Sequence, residues 1–320
     1  MNRHSKRNYI QNNQDKEKEK QIIQSINKVI DSCEKYDMKT SIIRNSHLEK
    51  LIKLNDLILT LKGSNKITDN LYYKIKQNAI SSGGFLNFEN RKIIWKKIFQ
   101  IKIERQNSNL KELELEPEPE IKSYMERKNY DDIINKDVNR SVIHHFKNEN
   151  DESIFSEKEK IFITTRLSRY LKHLFETEKG HKANSYDYYQ GFHDISLFPM
   201  LLYLDDTPTL RSITDNMINI YLIDYMQDNH KGVFVNVAKI LNETVNIINK
   251  EIAGEIESNS SEAIYFTCIS WVICLFTQNF KDITRMYRLL DYIFCSHPIM
   301  IYIIAAIVNL CQSFTLYRLS

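Results

Sequence analysis

Only seven glycines and five prolines interrupt a chain of 320 residues, and that scarcity governs what it can fold into. Sandwiches, barrels and propellers need turn residues roughly every 8–12 positions, so long helices joined by few loops are what remains. Hydrophobic residues make up 42% and charged residues 27%, enough for a packed core and inconsistent with a wholly disordered or collagen-like chain. The mass of 38.0 kDa accommodates one large or two ordinary domains. Lys and Arg number 44 against 41 Asp and Glu, a formal net charge of +3. Residues 1–20 alone carry six basic and three acidic side chains, so the remainder is balanced. A nucleic-acid partner is therefore not expected.

The cysteines (Cys33, Cys268, Cys274, Cys295 and Cys311) form no CxxC pair, and an odd, scattered set reads as buried thiols in a reducing compartment. The N-terminus has no apolar h-region and so no secretory signal. The most apolar stretch, IMIYIIAAIV (Ile299 to Val308), is about half the ~20 residues that a membrane-spanning helix needs, and reads as a buried core helix.

Along the chain, residues 1–20 are charged, Asn/Gln-rich and without periodicity, which predicts a disordered tail. A helical extension is expected over 21–78. Its first run places Ile22, Ile26, Val29, Ile30 and Cys33 at steps of three and four; the second places Leu48, Leu51, Leu54, Ile58 and Leu61 on one stripe, stopped by Gly63. Thr68 can cap a helix carrying Leu71, Tyr72, Ile75 and Ala79, and Asn87 one carrying Ile94, Trp95 and Ile98. The pattern breaks between Ile103 and Lys128. There KELELEPEPE, with Pro117, Pro119 and five glutamates, predicts an exposed acidic insertion over about 104–128. Helices follow over Tyr130 to Phe146 and Glu157 to Glu176. The rest of the chain stays helical and increasingly apolar, with no convincing alternating strand. The fold class is all-α.

No phosphate-cradling GxxxxGK[ST], GxGxxG, GxSxG elbow, HExxH or paired CxxC occurs. His144, His145, His181 and His193 complete no recognisable metal-ligand set, so no metal is expected. His193-Asp194 has the look of a His–carboxylate orienting pair, but no nucleophile accompanies it. Asp137 and Arg140, three apart, can pair on a helix face; this spacing alone is equally that of a plain surface salt bridge.

Three segments carry more. RKIIWKKIF (Arg91 to Phe99) follows Gly83-Gly84; INKDVNR (Ile134 to Arg140) gives I-x-x-D-x-x-R; YYQG (Tyr188 to Gly191) gives Y-x-Q-G. In this order, about fifty residues apart, they resemble the signature motifs of the TBC domain family, the GTPase-activating proteins of Rab GTPases. YYQGFHDI and SWVICLFTQNFKDITRMYRLLDYIFCSHPIMIYIIAAIV resemble the ER- and Golgi-anchored branch. The resemblance runs from about Ala79 to the C-terminus, which implies a multi-helix TBC-like domain over 79–320. It omits residues 1–78 and the acidic insertion.

By this resemblance Arg140 is an arginine finger and Gln190 a glutamine finger, both lent in trans. Asp137 orients Arg140, while Tyr188 and Gly191 support the glutamine loop. Arg91 and Trp95, with Arg288 and Asp291 of a later motif, are implied to be structural. Arg166 and Arg169 lack an Asp three residues earlier and rank behind Arg140. The implied partner is a Rab-family GTPase in its GTP-bound state. The chain itself would carry no cofactor and no independent catalytic activity, since GTP and Mg²⁺ are held by the partner. The alternative is a non-catalytic Rab-binding scaffold with a TBC fold; such members lose the Arg or the Gln, and both are present here. Branch members continue to a C-terminal transmembrane segment, whereas this sequence stops at Ser320. The expectation is a cytoplasmic protein at the cytosolic face of ER or Golgi membranes, its C-terminal end incomplete and any anchor outside this chain.

Overall fold

Helical periodicity accounts for most of the architecture. The computed structural model describes residues 3–36, 41–64, 68–112, 130–148, 150–175, 186–226, 230–250, 254 and 262–308. The helices are α1 (Arg3–Tyr36), α2 (Ser41–Gly63), α3 (Asp69–Ile80), α4 (Phe88–Glu112), α5 (Asp131–Val138), α6 (Glu157–Phe175), α7 (Phe192–Leu202), α8 (Thr207–Met217), α9 (His230–Ile248), α10 (Glu262–Ile273) and α11 (Ile283–Cys295). Residues 300–308 are also helical. A π-turn, Ile218–Leu222, extends α8, and 3-10 turns occupy Val142–His144, Ile223–Met226 and Thr277–Asn279. Among the described residues no strand forms, only an isolated bridge between Lys147 and Ser153. The fold is all-α.

Several boundaries differ from the sequence expectation. α1 begins at Arg3, inside the stretch read as a disordered tail. Its Lys, Glu and Gln residues are good helix formers, and no Gly or Pro intervenes, so the helix runs on without an apolar stripe. α4 continues to Glu112 rather than stopping near Ile103, because the first proline comes at Pro117; the rest of the acidic insertion, 113–129, lies outside the described residues. α2 buries Lys50, Leu54, Leu57, Ile58 and Leu61 and exposes Leu48 and Leu51. The stripe thus passes through a lysine that apolar periodicity alone skips.

α7 lies at the centre, with all 11 of its residues buried and α4, α5, α6 and α8 packed around it. A helix that is mostly apolar around its whole circumference has nowhere to go but the interior. The N-terminal extension is fastened to this body. Ile26 and Ile30 of α1 are fully buried, and Ser25 donates to Glu159 Oε1 over 2.5 Å. Glu159 also closes a capping box with Ser156 at the start of α6.

A buried carboxylate ties the N-terminal motif to the C-terminal helices. Asp291 is fully buried on α11. It accepts from Arg91 Nε at 3.1 Å, Trp95 Nε1 at 2.9 Å and the Phe85 amide at 3.1 Å. Burial pushes its pKa up while Arg91 pulls it down. Gly84 passes so close, at φ +55°, that a Cβ there would lie 2.6 Å from Asp291 Oδ2. Arg288 donates to the carbonyls of Ala79 and Ser81 at the end of α3. Lys50 reaches the same end from α2, donating to the carbonyl of Asn78 at 3.0 Å and to Ser81 Oγ at 2.8 Å, and also to the Ser82 carbonyl. Two cations therefore satisfy a helix C-terminus whose carbonyls would otherwise be orphaned. Burial, with Arg288 nearby, lowers the Lys50 pKa to about 8.

The cysteines whose surroundings are described (Cys268, Cys274 and Cys295) are free and buried; the side chains of Cys33 and Cys311 lie outside the described set. In the 300–308 helix Ile301, Ala305 and Ala306 are buried and Ile307 is exposed, so this element is half-buried. Among the described residues no helix is long and apolar enough to cross a membrane.

Replacing Asp291 by Ala leaves Arg91 buried without its counter-charge. Such a loss costs about 3–5 kcal/mol, and the Asp291→Ala midpoint in urea unfolding should drop accordingly.

Candidate functional site

α5 is short because its last turn tightens. The Arg140 amide donates to the Asp137 carbonyl at 2.9 Å and the Ser141 amide to that of Val138 at 3.1 Å. These i→i+3 bonds end the helix and turn the chain outward. The helix expected over Tyr130 to Phe146 therefore stops at Val138, and Arg140 projects from the turn beyond it. What pulls the chain away is α7: Asp194 accepts from both Ser141 Oγ and the Val142 amide at 2.9 Å.

Asp137 is buried although Arg140 is not: their side chains are 3% and 65% exposed. Arg140 Nη2 donates to Asp137 Oδ1 over 2.7 Å, and Nε reaches the Lys136 carbonyl at 3.3 Å. One edge of the guanidinium is thus fixed while the rest faces solvent, a planar cation aimed outward. The other oxygen of Asp137 accepts from the Tyr188 hydroxyl at 2.9 Å. Burial first, and Asp137 second, push the Tyr188 pKa far above its ordinary value, so the phenol stays a neutral donor.

Tyr188 begins the loop carrying Gln190. That amide is exposed and makes no hydrogen bond among the described residues. Gly191 follows with φ 111° as the N-cap of α7, and a Cβ there would sit 2.5 Å from Cys274 Sγ. Only glycine tolerates both the backbone and the space. Cys274 is itself a neutral thiol, its pKa pushed up to about 12 by burial and by Asp194. It leads into a turn in which Leu275 and Phe276 both have positive φ. From that turn Gln278 donates to Asp194 Oδ2 at 2.9 Å, and Tyr189 bonds the Ile273 carbonyl at 2.8 Å.

The Asp137–Tyr188 bond joins two segments 51 residues apart. Arg140 and Gln190, both exposed, rise from this one bonded patch. Tyr188 and Gly191 lie beneath them, buried. Arg91, Trp95, Arg288 and Asp291 belong instead to the cluster that holds the Gly83-Gly84 turn. Arg166 is engaged with Glu19 and the Leu204 carbonyl. Arg169 lines a polar cleft of about 410 Å³ between α5 and α6, with Asn139 and Lys172. Among the described residues no cluster of His, Cys, Asp and Glu could hold a metal; His181 lies outside them. The sequence reading missed Gln278, Ser141 and Cys274. Their contacts span 84, 53 and 83 residues of chain, so no local pattern announces them.

The family model RabGAP-TBC, described as the Rab-GTPase-TBC domain, matches residues 89–316. The chain belongs to this family. Similar curated proteins are TBC1 domain family member 20 of Bos taurus and of Homo sapiens, each 26% identical over 240 residues. That of Mus musculus is 27% identical over 239 residues. Each match covers 73% of this chain and 52% of the relative, so the chain spans about half the length of the curated relatives it matches.

Gly191→Ala should lose about 1–3 kcal/mol to the left-handed backbone alone, plus the clash with Cys274. Adding Cys274→Ala should recover the clash but not the backbone component, a non-additivity measurable in a double-mutant unfolding cycle. A second expectation concerns acid. His193 is buried, and desolvation lowers its pKa below the ordinary value of 6.5. The unfolded chain thus binds that proton more readily, and stability falls as pH drops from 6.5 towards the depressed value. Melting temperatures between pH 7 and 5.5 should fall more in the wild-type chain than in His193→Asn.

Proposed function

We propose that this chain is a GTPase-activating protein for a GTP-loaded Rab-family GTPase. The single observation carrying this reading is the exposed pair Arg140 and Gln190 above a shared, buried Asp137–Tyr188 bond. GTP hydrolysis passes through a loose transition state with charge spread over the phosphoryl oxygens, so it responds to placement and electrostatics rather than covalent chemistry. Arg140 would enter the partner's nucleotide site and stabilise that charge, its permanent cation contacting two oxygens at once. Gln190 would accept a hydrogen bond from the attacking water while donating to a phosphate oxygen, and so aim the water. GTP and Mg²⁺ stay in the partner throughout. This chain provides no nucleophile and no proton acceptor of its own.

The pre-orientation of Arg140 by Asp137 supports the finger role, because a guanidinium already held along one edge loses less side-chain entropy on docking. The exposed amide of Gln190, which makes no hydrogen bond among the described residues, supports the second role. Resemblance to the ER/Golgi-anchored branch favours a Rab of ER-to-Golgi traffic and a site of action on the cytosolic face of those membranes.

The test is GTP turnover by a panel of GTP-loaded Rab proteins, with and without the full chain. Stimulation of about 10³–10⁵-fold is the scale for fingers supplied in trans. Arg140→Ala should lose orders of magnitude of that stimulation while the chain still folds, with a lowered melting temperature because the buried Asp137 loses its counter-charge. Gln190→Ala should slow turnover while Rab binding survives. Binding without any acceleration by the wild-type chain would replace this reading with a scaffold.

A further inference from the structure

Next to the turn that carries Arg140 lies a second cationic feature, which the finger chemistry leaves unused. The two helices around it run antiparallel: Ser168 Oγ donates to Asn135 Oδ1 at 2.7 Å, and Asp131 faces Lys172. Between α5 and α6 opens the cleft of about 410 Å³, whose lining includes Asn135, Asn139, Thr165, Ser168, Arg169 and Lys172. That lining holds two cations and no carboxylate. Arg169 is exposed and makes no hydrogen bond or ion pair among the described residues. Lys172 makes no hydrogen bond there either, and Asp131 stands 4.0 Å from its ammonium, the outer edge of an ion pair. Since Asn135 spends its oxygen on Ser168, the end of its amide left over is a donor. Two cations and an amide donor bordering one space, without an acid among them, favour an anion in that space.

We propose that this cleft is a docking subsite for an acidic side chain of the GTP-loaded Rab that receives Arg140, with Arg169 and Lys172 as its specificity-determining cations. The proposal rests on the GTPase-activating reading and deepens it. Position decides the occupant. Asn139 of the lining directly precedes Arg140. The far end of the cleft, at Lys172, lies opposite Asp131, nine residues before Arg140, which is about 13 Å along a helix. A standard interface covers about 800 Å² on each partner, so one centred on Arg140 reaches about 16 Å and takes in the whole cleft. The guanidinium fork of Arg169 matches a carboxylate with two parallel bonds. Charges at the edge of an interface act on encounter and on the choice of partner more than on chemistry. The cleft therefore selects which Rab is held, and Arg140 and Gln190 act on the nucleotide of the one admitted.

The experiment measures binding of the full chain to Rab proteins loaded with a non-hydrolysable GTP analogue, and stimulated turnover of the same proteins with GTP. Replacing both cations, Arg169→Ala with Lys172→Ala, should slow association and weaken affinity for the Rab that binds about three- to thirtyfold at low ionic strength. The difference should shrink to about twofold in ~1 M salt, where the screening length is about 3 Å. The maximal stimulated rate should stay within about twofold, so that the loss falls on KM. Arg169→Ala alone, at an exposed position, should move the same way by less and serves if the double variant does not fold. An Asp and Glu to Ala scan of that Rab should then find one carboxylate whose removal weakens binding to the wild-type chain but changes it less than about twofold in the double variant. Unchanged affinity, a loss confined to the maximal rate, or a scan in which no carboxylate couples overturns the proposal. So does a double variant that keeps its Rab affinity but loses binding to phosphatidylserine-containing vesicles, which assigns the cleft to a lipid headgroup. A wild-type chain that binds a Rab through the coupled carboxylate without accelerating it overturns the activity reading and leaves the docking subsite standing. One that binds no GTP-loaded Rab overturns both.

Discussion

The total burial of α7 sets the terms for everything around it. Eleven residues with no exposed face include His193 and Asp194 in the first turn, and polar groups in that position must find partners inside the protein. Asp194 finds them in three separate elements: Ser141 and Val142 after α5, Gln278 after α10, and His193 beside it. The loops on either side of the central helix are thereby drawn to its N-terminal end. The turn with Arg140 and the loop with Gln190 lie where they do because α7 could not be buried otherwise.

Three aspartates share this manner of construction. Asp137, Asp194 and Asp291 are all nearly or fully buried, and each joins segments distant in sequence. They serve different ends. Asp291 is closed on all sides by Arg91, Trp95 and the Phe85 amide, and organises the Gly83-Gly84 turn. Asp194 is satisfied by neutral donors. Asp137 alone faces both ways, one oxygen towards the core phenol of Tyr188 and the other towards a guanidinium in solvent. A buried charge pointing at an exposed cation favours one orientation of that cation, at the cost of keeping a carboxylate out of water.

Much of the fold is legible in the residues because it is local. The Thr68 cap accepting from the Leu71 amide and the buried stripe of Ile94, Trp95 and Ile98 both follow from spacing and caps. Periodicity failed where a polar residue took an apolar place. Lys50 sits in the buried stripe of α2, and only the carbonyls at the end of α3 explain why. It failed again at α5, whose length is set by Asp194 some fifty residues later rather than by its own sequence. The motif residues of the site could be picked out by resemblance, and their Asp137–Arg140 spacing by arithmetic. Their support could not. Gln278 and Cys274 have no local signature, and the need for glycine at position 191 is visible only once Cys274 is beside it.

Lys50 has one more implication. The family match opens at residue 89, inside α4, yet the preceding turn is gripped from upstream by a lysine on α2 and from downstream by Arg288. A fragment trimmed to the matched boundary would leave Asp291 facing a void where the Phe85 amide had been, and would strip away α2 and α3, which pack against α4 and α11. Whatever else the first eighty residues do, they are part of the wall of this building and not its porch.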